Sequence, residues 1–405
     1  MALVPSARYS GQVDTGDAGY PHGKARNAAA FQDGTGTPLE KDWLNDLWGF
    51  EQALLAAGGI TPSGTADKLG ASQYLDGVRA AARTATLTRS LALRALDLDG
   101  VTPSTSQAIG AASSLGRRAV VAKGGTNGAF AFMETPLAEH TTVTVTGITD
   151  LRKLINGGSR LLAIGDGTTK NAFSTTSGNS WSAGGSSGLS TTPSDGVWDG
   201  TQFVISTTAG KASHSTDGTA WTTAVGGSDI SDVINLNADG GLAALSNGDV
   251  IAAGGQVDGT RVFAISSDHG ATWDLGGSIA TSPDYLVGGS VAGNGGAEIF
   301  WLGKPTALDR LDLFVSTDGA SWAKRAEIAG FTGVVRPSLF MCQDTGLLVA
   351  VHDIGASLQV AASLDRGYTW SAVANYNIPS TLSIAVARGR IFATIGAKLF
   401  ASDVL

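Results

Sequence analysis

A short phrase, Ser-x-Asp followed by Gly and Trp, returns along the second half of the chain. It stands as Ser215, Asp217, Gly218 and Trp221, as Ser266, Asp268, Gly270 and Trp273, as Ser316, Asp318, Gly319 and Trp322, and as Ser363, Asp365, Gly367 and Trp370. A degenerate copy runs from Ser174 through Gly178 to Trp181, with Thr176 where the Asp should be. The five Trp lie 40, 52, 49 and 48 residues apart. Two short β-like runs precede each phrase, for example Phe203–Ser206 then Ala212–Ser215, Val250–Ala253 then Val262–Ile265, and Leu347–Val351 then Leu358–Ala361. A unit this short cannot bury its apolar face alone, so successive copies must stack into one continuous body.

A period of about 40–50 residues with several strands per unit predicts a β-propeller. Composition agrees. Gly is 56 of 405 residues, charged residues are 15% and hydrophobic residues 42%, which suits short strands joined by tight turns rather than helices or disorder. The expected fold is mainly β, a C-terminal propeller behind a small helical N-terminal domain. The boundaries read as an extended arm over 1–36, a helical module over 37–100, a linker over 101–118 and the propeller over 119–405. The last pair of runs, Arg390–Ile395 and Lys398–Asp403, stops where a sixth phrase begins. The final blade therefore needs an outer strand from elsewhere, since an open edge invites aggregation. The run Thr141–Thr146 is the candidate, which makes six blades. Seven is the alternative, because Val120–Ala122 and Ala129–Met133 resemble one more strand pair.

The phrase resembles the Asp box of sialidases and many other propellers. The copies at Asp268 and Asp365 match S-x-D-x-G-x-x-W in full, and those at Asp217 and Asp318 are one residue shorter between Asp and Gly. Its chemistry is structural. The carboxylate accepts backbone N–H groups in the hairpin between the third and fourth strands. The Gly permits φ > 0 there, and the Trp folds back beneath the turn. One carboxylate per turn is too few for calcium, which takes 6–8 oxygens. In the resembled families the box lies at the periphery, away from the pocket.

The resemblance to sialidases raises a hydrolase. It implies three Arg that clamp a carboxylate, a Tyr–Glu pair and an Asp acid/base, with one Arg in an F-R-I-P-like segment. This chain has no such segment; its nearest Arg-Pro is Arg336-Pro337, in the wrong place and order. Glu298 and Glu327 are the only Glu after residue 140, and Tyr285, Tyr368 and Tyr376 the only propeller Tyr. His22, His140, His214, His269 and His352 show no H-x-x-H or H-E-x-x-H spacing. Gly124–Gly128 lacks the Gly-Lys-Ser/Thr of a P-loop, and Asp97–Gly100 lacks the later ligands of a calcium loop. The expectation is a non-enzyme with no metal and no cofactor.

At the N-terminal end, Thr37 reads as a helix N-cap with Pro38 at the first helical position and Glu40 completing a capping box. Leu39, Trp43, Leu47, Trp48, Leu54 and Leu55 follow as an apolar stripe, and Gly58-Gly59 ends it. A second helical stretch is expected from about Thr65 to Leu96. Two helices and an arm make a poor core, so this module is expected to oligomerise or dock. The order Gly11–Asn27, then Gly36-Thr-Pro38-Leu, Trp43-Leu-Asn45, then Ala57-Gly-Gly-Ile-Thr-Pro62 resembles the N-terminal module of tailed-bacteriophage tail fibre and tail-tip proteins, over about residues 8 to 85. The resemblance implies a virion protein that attaches to other tail proteins, usually as a trimer, and projects its distal domain outward.

Taken together, the expected function is a structural phage tail protein whose propeller meets a host surface glycan or protein. The alternatives are a purely architectural tail or baseplate subunit and a glycan-cleaving tail enzyme. Trp198, Tyr285 and Trp301 are candidates to stack on a sugar, with ordinary packing as the competing reading. The net charge of −8, without a Lys/Arg cluster, argues against nucleic acid. One Cys excludes a disulfide framework and a Cys-based zinc site. No apolar run reaches the ~18–20 residues of a membrane span, and residues 1–20 show no secretory signal. Synthesis in the host cytoplasm and residence in the virion follow as expectations.

Overall fold

The computed structural model describes most of residues 145–402 and, ahead of them, mainly residues 10–15, 41–57, 72–78 and strands at 94–95, 109–115, 118–123, 129–133 and 140–143. It divides into two compact units, residues 1–83 and 84–405.

In the first unit, Val13–Asp14 pairs antiparallel with Lys24–Ala25. The helix Lys41–Ala57 ends directly before Gly58-Gly59. Leu55 is buried, and Gly77, in a second helical stretch at 73–78, lies against the backbone of Leu54. A Cβ at Gly77 would stand 3.1 Å from the Leu54 carbonyl, so the absent side chain permits this approach. Leu47, Phe50, Leu75 and Val78 remain exposed, Phe50 by 64%. Thr37, Pro38 and Glu40 lie outside the described residues, as do the side chains of Trp43 and Trp48. Of the helical stretch expected over 65–96, residues 73–78 are helical. Arg94–Ala95 is instead a strand.

The second unit is a β-propeller of four-stranded antiparallel sheets. Blade 1 spans residues 109–143, blade 2 150–183, blade 3 193–223, blade 4 242–279, blade 5 291–329 and blade 6 337–377. Blade 7 is built from 382–401 plus Arg94–Ala95. The first strand of each sheet lies beside the first strand of the next, and that of blade 7 beside that of blade 1, so the ring closes. Among the described residues the four-stranded sheets number seven. The strand pair that kept seven open, Val120–Ala122 and Ala129–Met133, forms the middle of blade 1. A count of boxes falls one short because the sequence 134–139, between the third and fourth strands of blade 1, carries no Ser-x-Asp-x-Gly phrase.

Two further expectations are corrected. An N-terminal strand does complete the last blade, but it is Arg94–Ala95, paired with Phe400 and Ala401. His140–Val143, which overlaps the run proposed for that role, is the fourth strand of blade 1. Residues 109–115, assigned to the linker, are the first strand of the same blade. Their Ala/Ser/Gly-rich sequence resembles a linker in composition, and only pairing with Arg118–Lys123 makes it a strand.

The second strands explain the chain's unbroken apolar runs. Leu161–Gly165, Phe203–Thr207 and Ile299–Gly303 are buried at every position rather than at alternate ones. Each lies inside a blade sandwiched between two others, so both of its faces meet apolar neighbours. The core is accordingly shared across blades: Leu162 and Ile164 with Phe203 and Ile205, Ile251 and Phe263 with Ile299 and Trp301, and Leu313 with Leu348 and Ala350.

Candidate functional site

The boxes sit at one end of the ring, each between the third and fourth strands of its blade. Gly218 and Gly270 donate their N–H to Ser215 and Ser266 hydroxyls at 2.9 and 2.7 Å, and Gly319 and Gly367 do the same to Ser316 and Ser363 at 2.8 and 2.9 Å. The Asp carboxylates close the turns from the other side. Asp217 accepts the N–H groups of Thr219 and Ala220, and Asp318 those of Ala320 and Ser321. Asp268 accepts the N–H and hydroxyl of Thr272, and Asp365 those of Thr369. All four glycines have positive φ, from 69° to 86°. The two longer boxes absorb their extra residue, His269 or Arg366, in the left-handed region as well, at φ 63° and 59°. Trp221, Trp322 and Trp370 fold back and donate their indole N–H to the carbonyl of the box glycine, each at 3.1 Å. Trp273 is buried, and its indole nitrogen has no hydrogen-bond partner among the described residues. Gly178 lies outside the described residues, whereas Trp181 is buried.

Hydrogen bonding favours the ionised form of three of these carboxyls, Asp217, Asp268 and Asp318. Asp217 lies well below the usual carboxylate range because the Thr219 hydroxyl and backbone N–H groups donate to it. Asp318 is lowered chiefly by the Ser321 N–H. In Asp268, burial pushes upward but the Thr272 and Ser266 donors outweigh it. A folded-state pKa below the unfolded value of ~3.9 adds stability above that pH, and the contribution disappears as pH falls through the folded value. The melting temperature is therefore expected to drop from about pH 5 downward. In Asp217→Asn/Asp318→Asn the acid-side slope, followed by circular dichroism, should be shallower. An unchanged slope would remove these corners as the acid-sensitive element.

Each box also touches the blade before it. A Cβ at Gly218 would meet Leu162 of blade 2 at 2.9 Å, one at Gly270 would meet Val204 of blade 3 at 2.7 Å, and one at Gly319 would meet Ile251 of blade 4 at 2.7 Å. At Gly367 the distance to Leu313 of blade 5 would be 2.2 Å. The preceding blade reaches back from its fourth strand or the residues just after it. The N–H of Gly185 donates to the Gly218 carbonyl at 3.2 Å, and that of Gly277 to the Gly319 carbonyl at 3.3 Å. These glycines, in the fourth strand of blade 4 and just after that of blade 2, were not anticipated from the sequence. Their signal is a Gly-Gly pair three and four residues after a box Trp: Gly184-Gly185 after Trp181, and Gly276-Gly277 after Trp273. The turn between first and second strands contributes too. Arg160 donates to the Asp217 carbonyl, and Asp199 pairs with His269 Nδ1 at 2.8 Å. Asp199 is buried and its other oxygen takes the Thr201 and Gln202 N–H groups, so the His269 ring donates to it from Nδ1.

Between blades 5 and 6 this contact takes a different form. Arg325 stands three residues after Trp322, where blades 2 and 4 carry glycine. The register of the fourth strand slips there, Leu313 pairing with Ala326 and Phe314 with Lys324, so Arg325 is the bulged residue. A bulge redirects a side chain. The Arg325 guanidinium grips the Glu298 carboxylate through two hydrogen bonds, at 2.7 and 3.1 Å, and donates to the Arg366 carbonyl at 3.1 Å. It also lies over the rings of Tyr368, at 4.4 Å, and Phe300, at 5.6 Å. Beside it opens a cavity of about 290 Å3, lined by Glu298, Phe300, Met341, Thr345, Leu364 and Arg366 among others.

For hydrolysis, one carboxyl must stay protonated to act as general acid. The two Glu do not meet that condition. The Arg325 guanidinium holds Glu298 below the usual range, and Lys324 does the same to Glu327. Trp301 is unavailable to a sugar: it is 2% exposed, edge-on to Phe263 and tilted against Phe314. It lies in a second strand rather than a loop. Trp198 is half-buried and packs on Phe203 with ring centres 4.6 Å apart, while Tyr285 lies outside the described residues. Among the described residues no His/Cys/Asp/Glu group suits a metal, and no helix is long and apolar enough to cross a membrane.

A closed ring of four-stranded sheets defines this protein as a β-propeller. No protein-family model and no curated protein matches the chain. It is similar to the solved structure of YCF48 from Cyanidioschyzon merolae, at 15% identity and TM-score 0.50, covering 77% of this chain and 98% of that one. It is also similar to a catalytically inactive virginiamycin B lyase from Staphylococcus aureus with quinupristin, at 10% identity and TM-score 0.51, covering 78% and 99%. At these identities the likeness is one of fold.

Proposed function

We propose that this protein is a non-enzymatic structural component of a bacteriophage tail. Its first unit attaches to other tail proteins, as a homotrimer, and its propeller is presented for recognition of a host surface molecule. The observation that carries this reading is a coincidence of boundaries. The resemblance to tail-fibre attachment modules ends near residue 85, and the first compact unit ends at residue 83. That unit leaves Leu47, Phe50, Leu75 and Val78 exposed, apolar surface of the kind that subunit contacts cover. In the propeller, the conspicuous carboxylates serve turns and blade contacts.

Antibodies against the full chain test this on purified particles. Gold label is expected at the tail in electron micrographs, antibody is expected to block adsorption to host cells, and the chain in solution is expected at about three times its 41.0 kDa mass. Label without a block of adsorption would make the protein architectural. Oligosaccharide released from host envelope polysaccharide by purified protein would make it an enzyme. Absence from particles would overturn the reading.

A further inference from the structure

We propose that the cavity between blades 5 and 6 binds one uncharged pyranose ring of a glycan. The inference deepens the reading of the propeller as a recognition domain by giving its ligand class and location. It stands on the built character of the cavity. The Glu298 carboxylate is held by both guanidinium nitrogens of Arg325, so its plane is set and its remaining lone pairs are offered in one orientation. Arg325 in turn is held by the strand bulge, by the Arg366 carbonyl and by the Tyr368 ring.

The Arg366 guanidinium, 69% exposed and 3.9 Å from Glu298, is engaged more loosely and has donors free to turn toward an occupant. A fixed acceptor beside a mobile donor, in a cavity also lined by the apolar side chains of Met341 and Leu364, matches ring hydroxyls that both donate and accept around a C–H face. Charged ligands fit less well. A cation would compete with Arg325 for a carboxylate already neutralised, and an anion reaching Arg366 would approach Glu298. About 290 Å3 is the lower end of the ~300–1,000 Å3 of ligand pockets, room for one ring rather than a chain segment. Arg366 and Tyr368 also distinguish this box from its neighbours. The matching positions of the blade 4 box are His269, tied to Asp199, and Ala271.

The test uses the full chain and the methyl glycosides of glucose, galactose, mannose, N-acetylglucosamine and rhamnose at millimolar concentration, with glucuronate and glucosamine as charged arms. Saturation-transfer NMR is expected to detect at least one neutral glycoside. Its affinity should fall by roughly tenfold in Arg366→Ala, the loss of one charged hydrogen bond. In Thr345→Trp, an exposed position whose new side chain fills the cavity, binding should be lost. Melting curves check that both variants fold, and either one alone suffices. The proposal is overturned if no neutral glycoside shows transfer, if only a charged arm does, or if both variants bind like the parent. None of these outcomes bears on whether antibody labels the phage tail, so the two readings fail separately.

Discussion

Gly367→Ala is expected to destabilise the propeller by about 2–5 kcal/mol. Two effects add. Gly367 has φ +84°, where an L side chain costs about 1–2 kcal/mol. Its new Cβ would also stand 2.2 Å from Leu313 Cδ2, and Leu313 is fully buried in the core shared by blades 5 and 6. Overpacking of that kind costs about 1–3 kcal/mol more. Gly346→Ala separates the terms, because Gly346 has φ +71° with nothing within 4 Å of a Cβ. It should lose only about 1–2 kcal/mol, the backbone part alone. Denaturant midpoints of the two variants measure the difference. Equal losses would mean that the box glycine serves its own turn and not the contact with the preceding blade.

Removal of the closing strand should have the other large effect. Arg94 and Ala95 pair with Ala401 and Phe400, which completes blade 7 as a four-stranded sheet. A chain of residues 84–405 retains that strand, and one of residues 100–405 leaves Lys398–Ala401 as an open edge. Unpaired N–H and C=O groups on such an edge recruit a second chain. The longer form is expected to be monodisperse in light scattering, whereas the shorter one should associate and melt lower, by roughly 2–4 °C per kcal/mol lost. Identical behaviour of both would show that the pairing contributes nothing to closure.

The parts of the fold readable in the sequence are those whose chemistry is local. Ser215, Asp217, Gly218 and Trp221 lie within seven residues and satisfy one another's hydrogen bonds, so the phrase can be recognised wherever it occurs. The paired runs before each box likewise announce the second and third strands. Blade 1 is missed by a count of boxes because the sequence between its third and fourth strands carries no such phrase. The run at 141–146 is the candidate for the closing strand by its place just before the first full unit, and the ring instead uses two residues further upstream. Two residues carry no periodicity, and their pairing with Phe400 and Ala401 is entirely long-range.

The candidate site was legible only in fragments. In the sequence Glu298 stands out as one of two Glu after residue 140 and Tyr368 as one of three propeller Tyr, but nothing joins them to Arg325 and Arg366. Glu298 and Arg325 are 27 residues apart. Trp301 illustrates the reverse case, a candidate for sugar stacking that the packing of blades 4 and 5 buries.

Sequence by itself determined the repeating hairpin corner, and with it the propeller class, because a turn's hydrogen bonds close within seven or eight residues and need no neighbour. Tertiary structure decided the number of blades, the strand that seals the ring and the opening between blades 5 and 6. Those depend on what the facing blade brings to the contact. Where it brings Gly185 or Gly277, backbones meet; where it brings Arg325 on a bulge, a cavity lies beside the contact.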